Sequence, residues 1–162
     1  MDKMSIRVRK EVVQCLKCKE LKVFIYLPDF AYGERLVFSN KGMPCAFIKL
    51  VDDQTYIEYE KLVRQILQDN LVETSEDKIL RLVIETFGVT CDEIDNCKVD
   101  FAQNQKKCYF CGSTNFDKKL IEPESVITIE LPLVSHKKWG SVEFKKKYEL
   151  AKSELTRNNV FN

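Results

Sequence analysis

The sequence has 162 residues, of which 44% are hydrophobic and 31% are charged, and its formal net charge is only +1. This length predicts a single domain, and this composition excludes a disordered chain because it supplies enough apolar residues for a core. The charges are unevenly spread: residues 1–51 carry a net +5, residues 52–97 a net −8 and residues 98–162 a net +4. We therefore expect the acidic middle of the chain to form a separate structural unit.

No apolar run approaches the roughly 18–20 residues that span a bilayer. The first seven residues also lack the apolar core of a signal peptide. We therefore expect a cytoplasmic protein with no membrane partner.

The seven cysteines are an odd number, in a chain too large to require disulfide bonds for its stability. In a reducing compartment, paired Cys-x-x-Cys motifs indicate a metal site instead.

Two strands are predicted around the first cysteine pair. Residues 5–14 begin with apolar residues that alternate with arginines, a pattern typical of a strand with one buried face. This strand leads directly into Cys15 and Cys18, and a second strand is predicted over residues 21–27. Together they would form a hairpin whose turn points both sulfur atoms toward one position.

The next segment predicts a second hairpin and a first helix. Apolar residues over 36–38 and 45–51 flank a turn that contains glycine. Asp52 or Asp53 can then cap a helix over residues 54–70. The apolar residues expected on or near one face of this helix are Ile57, Leu62, Val63, Ile66 and Leu67.

Two further helices complete the acidic unit. The second helix is expected to begin after Thr74 or Ser75, with acidic residues in its first turn, and to end at Gly88. A third, weaker helix is expected over residues 90–101. The three helices together would form an insert over residues 52–102.

The last third of the chain predicts a strand and a helix. Alternating apolar residues over 126–131 indicate a strand that Pro132 ends or confines to an edge. His136, the single histidine, follows in a lysine-rich stretch and is expected at the surface. A helix is predicted over residues 141–156 with Ser141 as its cap. Its apolar stripe comprises Phe144, Tyr148, Ala151 and Leu155.

The chain is organised around two Cys-x-x-Cys motifs, CLKC at residues 15–18 and CYFC at residues 108–111. Zinc binds four thiolates in a closed tetrahedron, and a structural zinc ion is therefore predicted. The same sulfurs accept iron, and spacing alone does not separate the two metals. Because 89 residues separate the pairs, the acidic helices would be inserted between the halves of the site. The predicted ligands are Cys15, Cys18, Cys108 and Cys111.

Residues 108–115 resemble the second knuckle of zinc-ribbon proteins, which share the rubredoxin-type knuckle and in which Cys-x-x-Cys-Gly-Ser is common. In that pattern Gly112 can take a positive φ while backbone N–H groups turn toward the sulfurs. The first knuckle departs from the pattern, because Lys19 stands where a glycine is usual. The resemblance covers residues 6–27 and 106–131 and implies a metal-binding subfold. It transfers no function, since zinc ribbons serve many roles.

A redox dithiol is the main alternative to a metal site. The reactive Cys-x-x-Cys pair of a redox protein sits at a helix N-terminus, whereas a β-prone run follows Cys15 and Cys18. Cys45 lies within an apolar run and is expected to be a small core residue. Cys91 and Cys97 flank an acidic turn, where they could complete a different metal set or remain single thiols.

Catalytic motifs are missing from the sequence. A site of four cysteines leaves no open position for a substrate, and no phosphate-binding glycine-rich loop, nucleophile elbow or HExxH motif occurs. We therefore expect no enzymatic activity.

The first predicted function is a protein-interaction module of the adaptor, inhibitor or immunity (antitoxin) type, whose acidic helices face a basic partner. A thiol redox protein is the last alternative.

Nucleic-acid binding through the ribbon is the second predicted function. Lysines beside aromatic rings offer positive charge and stacking surfaces. The acidic block would repel phosphate unless it points away from the bound strand. The candidate residues are Lys106, Lys107, Tyr109, Phe110, Phe116, Lys118 and Lys119.

These patterns together predict an α+β fold in one domain that spans residues 1–162. A zinc-ribbon-like antiparallel β unit would come from both ends of the chain, over residues 5–51 and 103–162. The acidic helices over residues 52–102 would be inserted between these two parts, and the C-terminal helix would complete the domain.

Overall fold

The computed structural model describes residues 2–28, 33–102 and 107–161. Within these ranges the chain forms two antiparallel three-stranded sheets and four helices, which confirms the predicted α+β class. The strands are β1 (Lys3–Gln14), β2 (Leu21–Tyr26), β3 (Glu34–Ser39), β4 (Pro44–Lys49), β5 (Val99–Asp100) and β6 (Glu122–Pro132). The helices are α1 (Gln54–Asp69), α2 (Glu76–Thr86), α3 (Lys137–Gly140) and α4 (Phe144–Arg157).

The first sheet joins the two ends of the chain, as predicted. Its strand order is β2-β1-β6, with β1 antiparallel to both neighbours. A register shift between Lys10 and Val12 lets β6 continue its pairing as far as Glu122, so this strand begins earlier than predicted. The long central strand therefore connects the turn that bears the first cysteine pair to the last third of the chain.

The second sheet has the order β4-β3-β5 and contains the predicted hairpin of β3 and β4. Its third strand lies inside the predicted third helix over residues 90–101, and that prediction is wrong. Asp95 and Asn96 both have positive φ, at 50° and 60°, and a right-handed helix cannot include two such residues. The chain turns there, and Asp100 pairs with Phe38 of β3.

The main hydrophobic core lies between the second sheet and helices α1, α2 and α4. Asp53 caps α1 and Ser75 caps α2, each by accepting a backbone N–H at the third helical position. Ile57 is exposed and is not part of the predicted buried face, whereas Tyr59 is buried. The buried residues of α1 and α2 are Tyr59, Leu62, Val63, Ile66, Leu67, Leu82, Val83 and Thr86.

A second, smaller cluster lies against the first sheet and is built from Ile6, Val8, Leu131 and Phe47. Phe47 belongs to β4, so the second sheet contributes directly to the packing of the first. The backbone continues this contact, because the N–H of Val134 donates to the carbonyl of Phe47 at 3.1 Å. Within the described ranges, no helix is long and apolar enough to cross a membrane.

The C-terminal helix begins later than predicted. Ser141 does not cap α4; its hydroxyl donates to the carbonyl of Lys138 at 2.8 Å and closes the short helix α3. The helix α4 starts at Phe144, which was predicted to belong to the buried apolar stripe but is 69% exposed. Ala151 and Leu155 of that stripe are buried in the main core.

His136 is largely buried, contrary to the surface position predicted for it. Its Nε2 lies 2.9 Å from Oδ2 of Asp53, and its Nδ1 lies 3.0 Å from both the carbonyl oxygen and the hydroxyl of Thr90. The Thr90 hydroxyl is 2.9 Å from the carbonyl of Phe87, to which it donates, and the residue is only 1% exposed. The histidine thus connects the start of α1 to the turn after α2.

The charge state of Asp53 is coupled to this contact. Burial acts to raise the pKa of Asp53, but hydrogen bonds from His136 and from the N–H of Tyr56 outweigh it, so the pKa falls below its usual value of 3.8. A carboxylate with a depressed pKa stabilises the fold above its usual pKa, and this stabilisation is lost as the pH falls through the folded-state value.

We predict that Asp53→Asn lowers the free energy of unfolding by about 2 kcal/mol at pH 7, because asparagine keeps the helix cap but removes the charged hydrogen bond. The difference between wild type and variant should shrink as the pH falls below about 4, because the carboxylate of the unfolded wild-type chain takes up a proton before that of the folded protein. Urea denaturation of both proteins from pH 7 to pH 3 measures this difference. A difference that stays constant over this range would contradict the assignment.

Candidate metal centre

The two cysteine pairs lie on adjacent turns at one end of the first sheet. The first turn follows β1 directly, and backbone contacts hold the second turn beside it. The N–H of Leu16 donates to the carbonyl of Asn115 at 3.0 Å, and the N–H of Asp117 donates to the carbonyl of Gln14 at 2.9 Å. The end of β1 therefore serves as the support on which both turns meet.

The two turns have the same backbone structure, and we call each one a knuckle. In each, the first cysteine donates its N–H to the carbonyl five residues later and accepts the N–H of the residue four positions later. The hydrogen bonds are Cys15 to Glu20 at 2.9 Å, Lys19 to Cys15 at 2.9 Å, Cys108 to Ser113 at 2.7 Å and Gly112 to Cys108 at 2.8 Å.

Lys19 adopts the backbone conformation for which the second knuckle uses a glycine. Its φ is 66°, and that of Gly112 is 73°. A residue with a Cβ atom is disfavoured in this left-handed region, whereas glycine is not. The first knuckle therefore has the same backbone shape as the second, although Lys19 makes its turn more strained than a glycine would.

The four sulfur atoms of Cys15, Cys18, Cys108 and Cys111 all lie within 4.8 Å of one another. Across the two knuckles, the Sγ atoms of Cys15 and Cys111 are 3.6 Å apart, as are those of Cys18 and Cys108. A regular tetrahedron with metal–sulfur bonds of 2.3 Å has edges of about 3.8 Å. The predicted ligands are therefore brought together at a spacing that could hold one metal ion.

The sulfur atoms influence one another strongly. A hydrogen bond from the backbone of Cys18 is the largest influence on Cys15 and helps to lower its pKa to about 6. For Cys18, a backbone hydrogen bond from Glu20 acts to lower the pKa, but burial and the other three sulfurs raise it to about 12. Ionisation of one thiol thus opposes ionisation of the next, and a bound cation would remove this opposition.

Lys22 is a buried lysine beside this cluster and was not predicted from the sequence to belong to the site. It is 8% exposed, and its Nζ lies 5.8 Å from the centre of the Phe24 ring. Burial lowers the pKa of Lys22, while the charge of the Cys108 thiolate acts to raise it. The sequence signal was weak, because Lys22 is a single charge in the otherwise apolar run of β2.

Aromatic side chains project from the second knuckle between its two cysteines. Tyr109 is 50% exposed and Phe110 is 64% exposed, and their rings meet edge to face with centroids 5.6 Å apart. Leu16, at the matching position of the first knuckle, is also exposed. We call the surface formed by Leu16, Tyr109 and Phe110 the knuckle tip.

Of the residues predicted to bind nucleic acid, some are exposed and one is packed beneath the knuckles. Lys107, Lys118 and Lys119 are exposed, as are the two rings of the knuckle tip. Phe116 instead packs edge to face against Phe24, with centroids 5.2 Å apart, and so contributes to the packing beneath the knuckles. Lys106 lies outside the described residues.

The remaining cysteines do not join the cluster. Among the described residues, the four knuckle cysteines form the sole group of three or more potential ligands within 4.8 Å. Burial raises the pKa of Cys45 to about 11 and that of Cys91 to about 12, and Cys97 is half-buried in the turn before β5. Cys45 packs against the main core, as predicted.

We predict that Gly112→Ala lowers the free energy of unfolding by about 1 kcal/mol, because alanine is strained at a φ of 73°. Its new Cβ would meet no atom within 4 Å, so the effect reports backbone strain alone. Gly140→Ala is the matched control, since its Cβ also meets no atom and its φ is not positive. Urea denaturation at a fixed metal concentration compares them; equal effects would refute the strained knuckle.

Comparison with known proteins identifies no relative of this chain. The sequence matches no protein-family model, and no curated protein or solved structure is significantly similar to it. The interpretation of the site therefore depends on the positions and the chemistry of its own residues. Those positions show four cysteines that could hold a metal ion, with exposed aromatic rings between two of them.

Proposed function

We propose that this protein is a non-enzymatic, zinc-binding protein-interaction module. One Zn²⁺ held by Cys15, Cys18, Cys108 and Cys111 joins the two ends of the chain in a zinc-ribbon-like unit, and the knuckle tip binds a partner protein. The observation that carries this proposal is the exposure of Tyr109 and Phe110 directly between two of the four ligands. A metal bound there would fix the position of both rings.

The donor set supports zinc as the metal. Four cysteines complete a tetrahedral shell, which is typical of structural zinc sites and leaves no position for a substrate or a reactive water. The sulfur spacing of 3.6 Å across the knuckles fits that tetrahedron. Iron would use the same sulfurs, and it remains the alternative metal.

The metal would supply a cross-link, and the protein residues supply the rest of the site. Backbone hydrogen bonds fix the turn of each knuckle, while the pairing of β1 with β6 holds the two halves of the chain together. A tetrathiolate site occupies all four thiols, so it would also leave no free dithiol for the redox alternative.

A site shared by both knuckles predicts equal effects of cysteine loss on the two sides. Cys15→Ser and Cys108→Ser should each lower the melting temperature of the zinc-loaded protein by a similar, large amount, because either variant leaves three ligands. Cys45→Ser, which alters a thiol outside the site, should have a much smaller effect. Thermal denaturation with zinc and after chelation measures all three. If only one knuckle variant is unstable, the shared site is wrong.

The chemistry of the knuckle tip favours a protein partner. Aromatic residues dominate the energetic centres of protein interfaces, and a rim of charged residues commonly surrounds them. Phe110 and Tyr109 supply the rings, Leu16 adds aliphatic surface, and the lysines of the knuckles are exposed. The partner would be bound by burying these rings, as expected for an adaptor, inhibitor or immunity protein.

We predict that a photo-cross-linking phenylalanine analogue at position 110 captures one defined protein in the native cell. The same analogue at Leu71, which is 89% exposed and follows α1, is the control and should not capture it. The captured protein, once purified, should lose at least about tenfold in affinity on Phe110→Ala and nothing on Leu71→Ala. Equal capture at both positions, or an unchanged affinity, would remove the knuckle tip as the binding surface.

Nucleic-acid binding is the second candidate, because Lys107, Lys118 and Lys119 are exposed in the segment that bears the exposed rings. Cations beside aromatic rings suit a single strand. Against it, the two rings contact each other edge to face, which leaves less free ring surface for stacking. A nuclease-sensitive adduct at position 110, with no protein adduct, would favour this candidate over the protein partner.

A further inference from the structure

Lys22 occupies an unusual position for a lysine. Long charged side chains are almost never fully buried unless a partner compensates them. Lys22 is 8% exposed, and in the part of the chain that the structure describes no carboxylate lies within ion-pair distance of its ammonium group. The charge that acts on its ammonium group is that of Cys108, one of the four predicted ligands.

The strand register explains how Lys22 reaches this site. It lies opposite Val13 in the pairing of β1 with β2. Alternate residues of a strand share a face, so Val13 and Cys15 point to the same side of the sheet, and Lys22 and Phe24 point there with them. The segment that follows the second knuckle lies on this side, because its Phe116 packs on Phe24.

A metal centre with four thiolates has a charge that must be balanced. Four thiolates and one divalent cation carry about two excess negative charges, and burial makes this excess unfavourable. The exposed lysines of the knuckles, such as Lys17 and Lys107, are screened by water and contribute little. Lys22 differs from them, because most of its side chain is buried and its ammonium group interacts electrostatically with the predicted ligand Cys108.

We propose that Lys22 is a positioning residue of the metal centre, whose ammonium charge offsets the excess charge of the four thiolates and so strengthens metal retention. This inference rests on the proposed zinc site. If Lys22 acts in this way, β2 influences the metal affinity although it contributes no ligand. It also implies that Lys22 reduces the nucleophilicity of the bound thiolates toward alkylating agents.

The test compares three variants of the full chain. Lys22→Met keeps the aliphatic stem but removes the charge, Lys22→Arg keeps the charge, and Lys17→Met removes an exposed charge from the first knuckle as the control. Zinc affinity is measured by competition with a chromogenic chelator, and thiolate reactivity by the rate at which iodoacetamide alkylates the zinc-loaded protein. Circular dichroism verifies that each variant is folded.

Lys22→Met should weaken zinc binding by about tenfold and accelerate alkylation, as expected for the loss of an outer-shell partner. Lys22→Arg should restore both values to near wild type, and Lys17→Met should change each by less than about twofold. If Lys22→Met does not fold, acetyl-lysine at position 22 provides a neutral side chain of similar length. Should no neutral variant fold with zinc while Lys22→Arg does, the charge requirement is supported.

Two outcomes would overturn the inference while the zinc site stands. Wild-type affinity in Lys22→Met would show that the charge is irrelevant, and equal losses in Lys22→Met and Lys22→Arg would show that Lys22 acts by packing alone. A wild-type protein that binds no metal would overturn the proposed function, and this inference with it.

Discussion

Four sulfur atoms from distant parts of the chain meet at one end of the first sheet. Cys18 and Cys108 are separated by 89 residues, yet all four sulfurs lie within 4.8 Å of one another. Closing a loop of this length opposes folding by about 4 kcal/mol. Structural zinc in small domains contributes about 10–16 kcal/mol of binding free energy, which is more than enough to offset that term. A metal in this cluster would therefore be decisive for the arrangement of the first sheet.

The two sheets belong to different parts of the hydrophobic core. The first sheet supports the knuckles and has only a small apolar cluster of its own, whereas the second sheet packs with three helices around the main core. Phe47 of the second sheet belongs to the smaller cluster, and His136 joins the start of α1 to the turn after α2. The first sheet, which bears the knuckle tip at one end, is therefore packed against the second sheet.

Sequence patterns over a few residues correctly predicted the features that depend on residues close together in the chain. Cysteine spacing identified the four clustered thiols, and capping side chains located the starts of α1 and α2 at Asp53 and Ser75. Features set by distant contacts were missed: β5 depends on pairing with β3, and the burial of His136 depends on a carboxylate 83 residues away. Lys22 was missed for the same reason, since only the folded second knuckle shows what its charge faces.

The metal content of the purified protein, combined with thiol titration before and after chelation, tests the central claim most directly. The proposed function predicts one zinc ion per chain and four thiols that become reactive only when a chelator removes the metal. One iron per chain would keep the four-sulfur site but contradict the assignment to zinc. A protein that contains no metal, with the four knuckle thiols reactive from the start, would contradict the account as a whole.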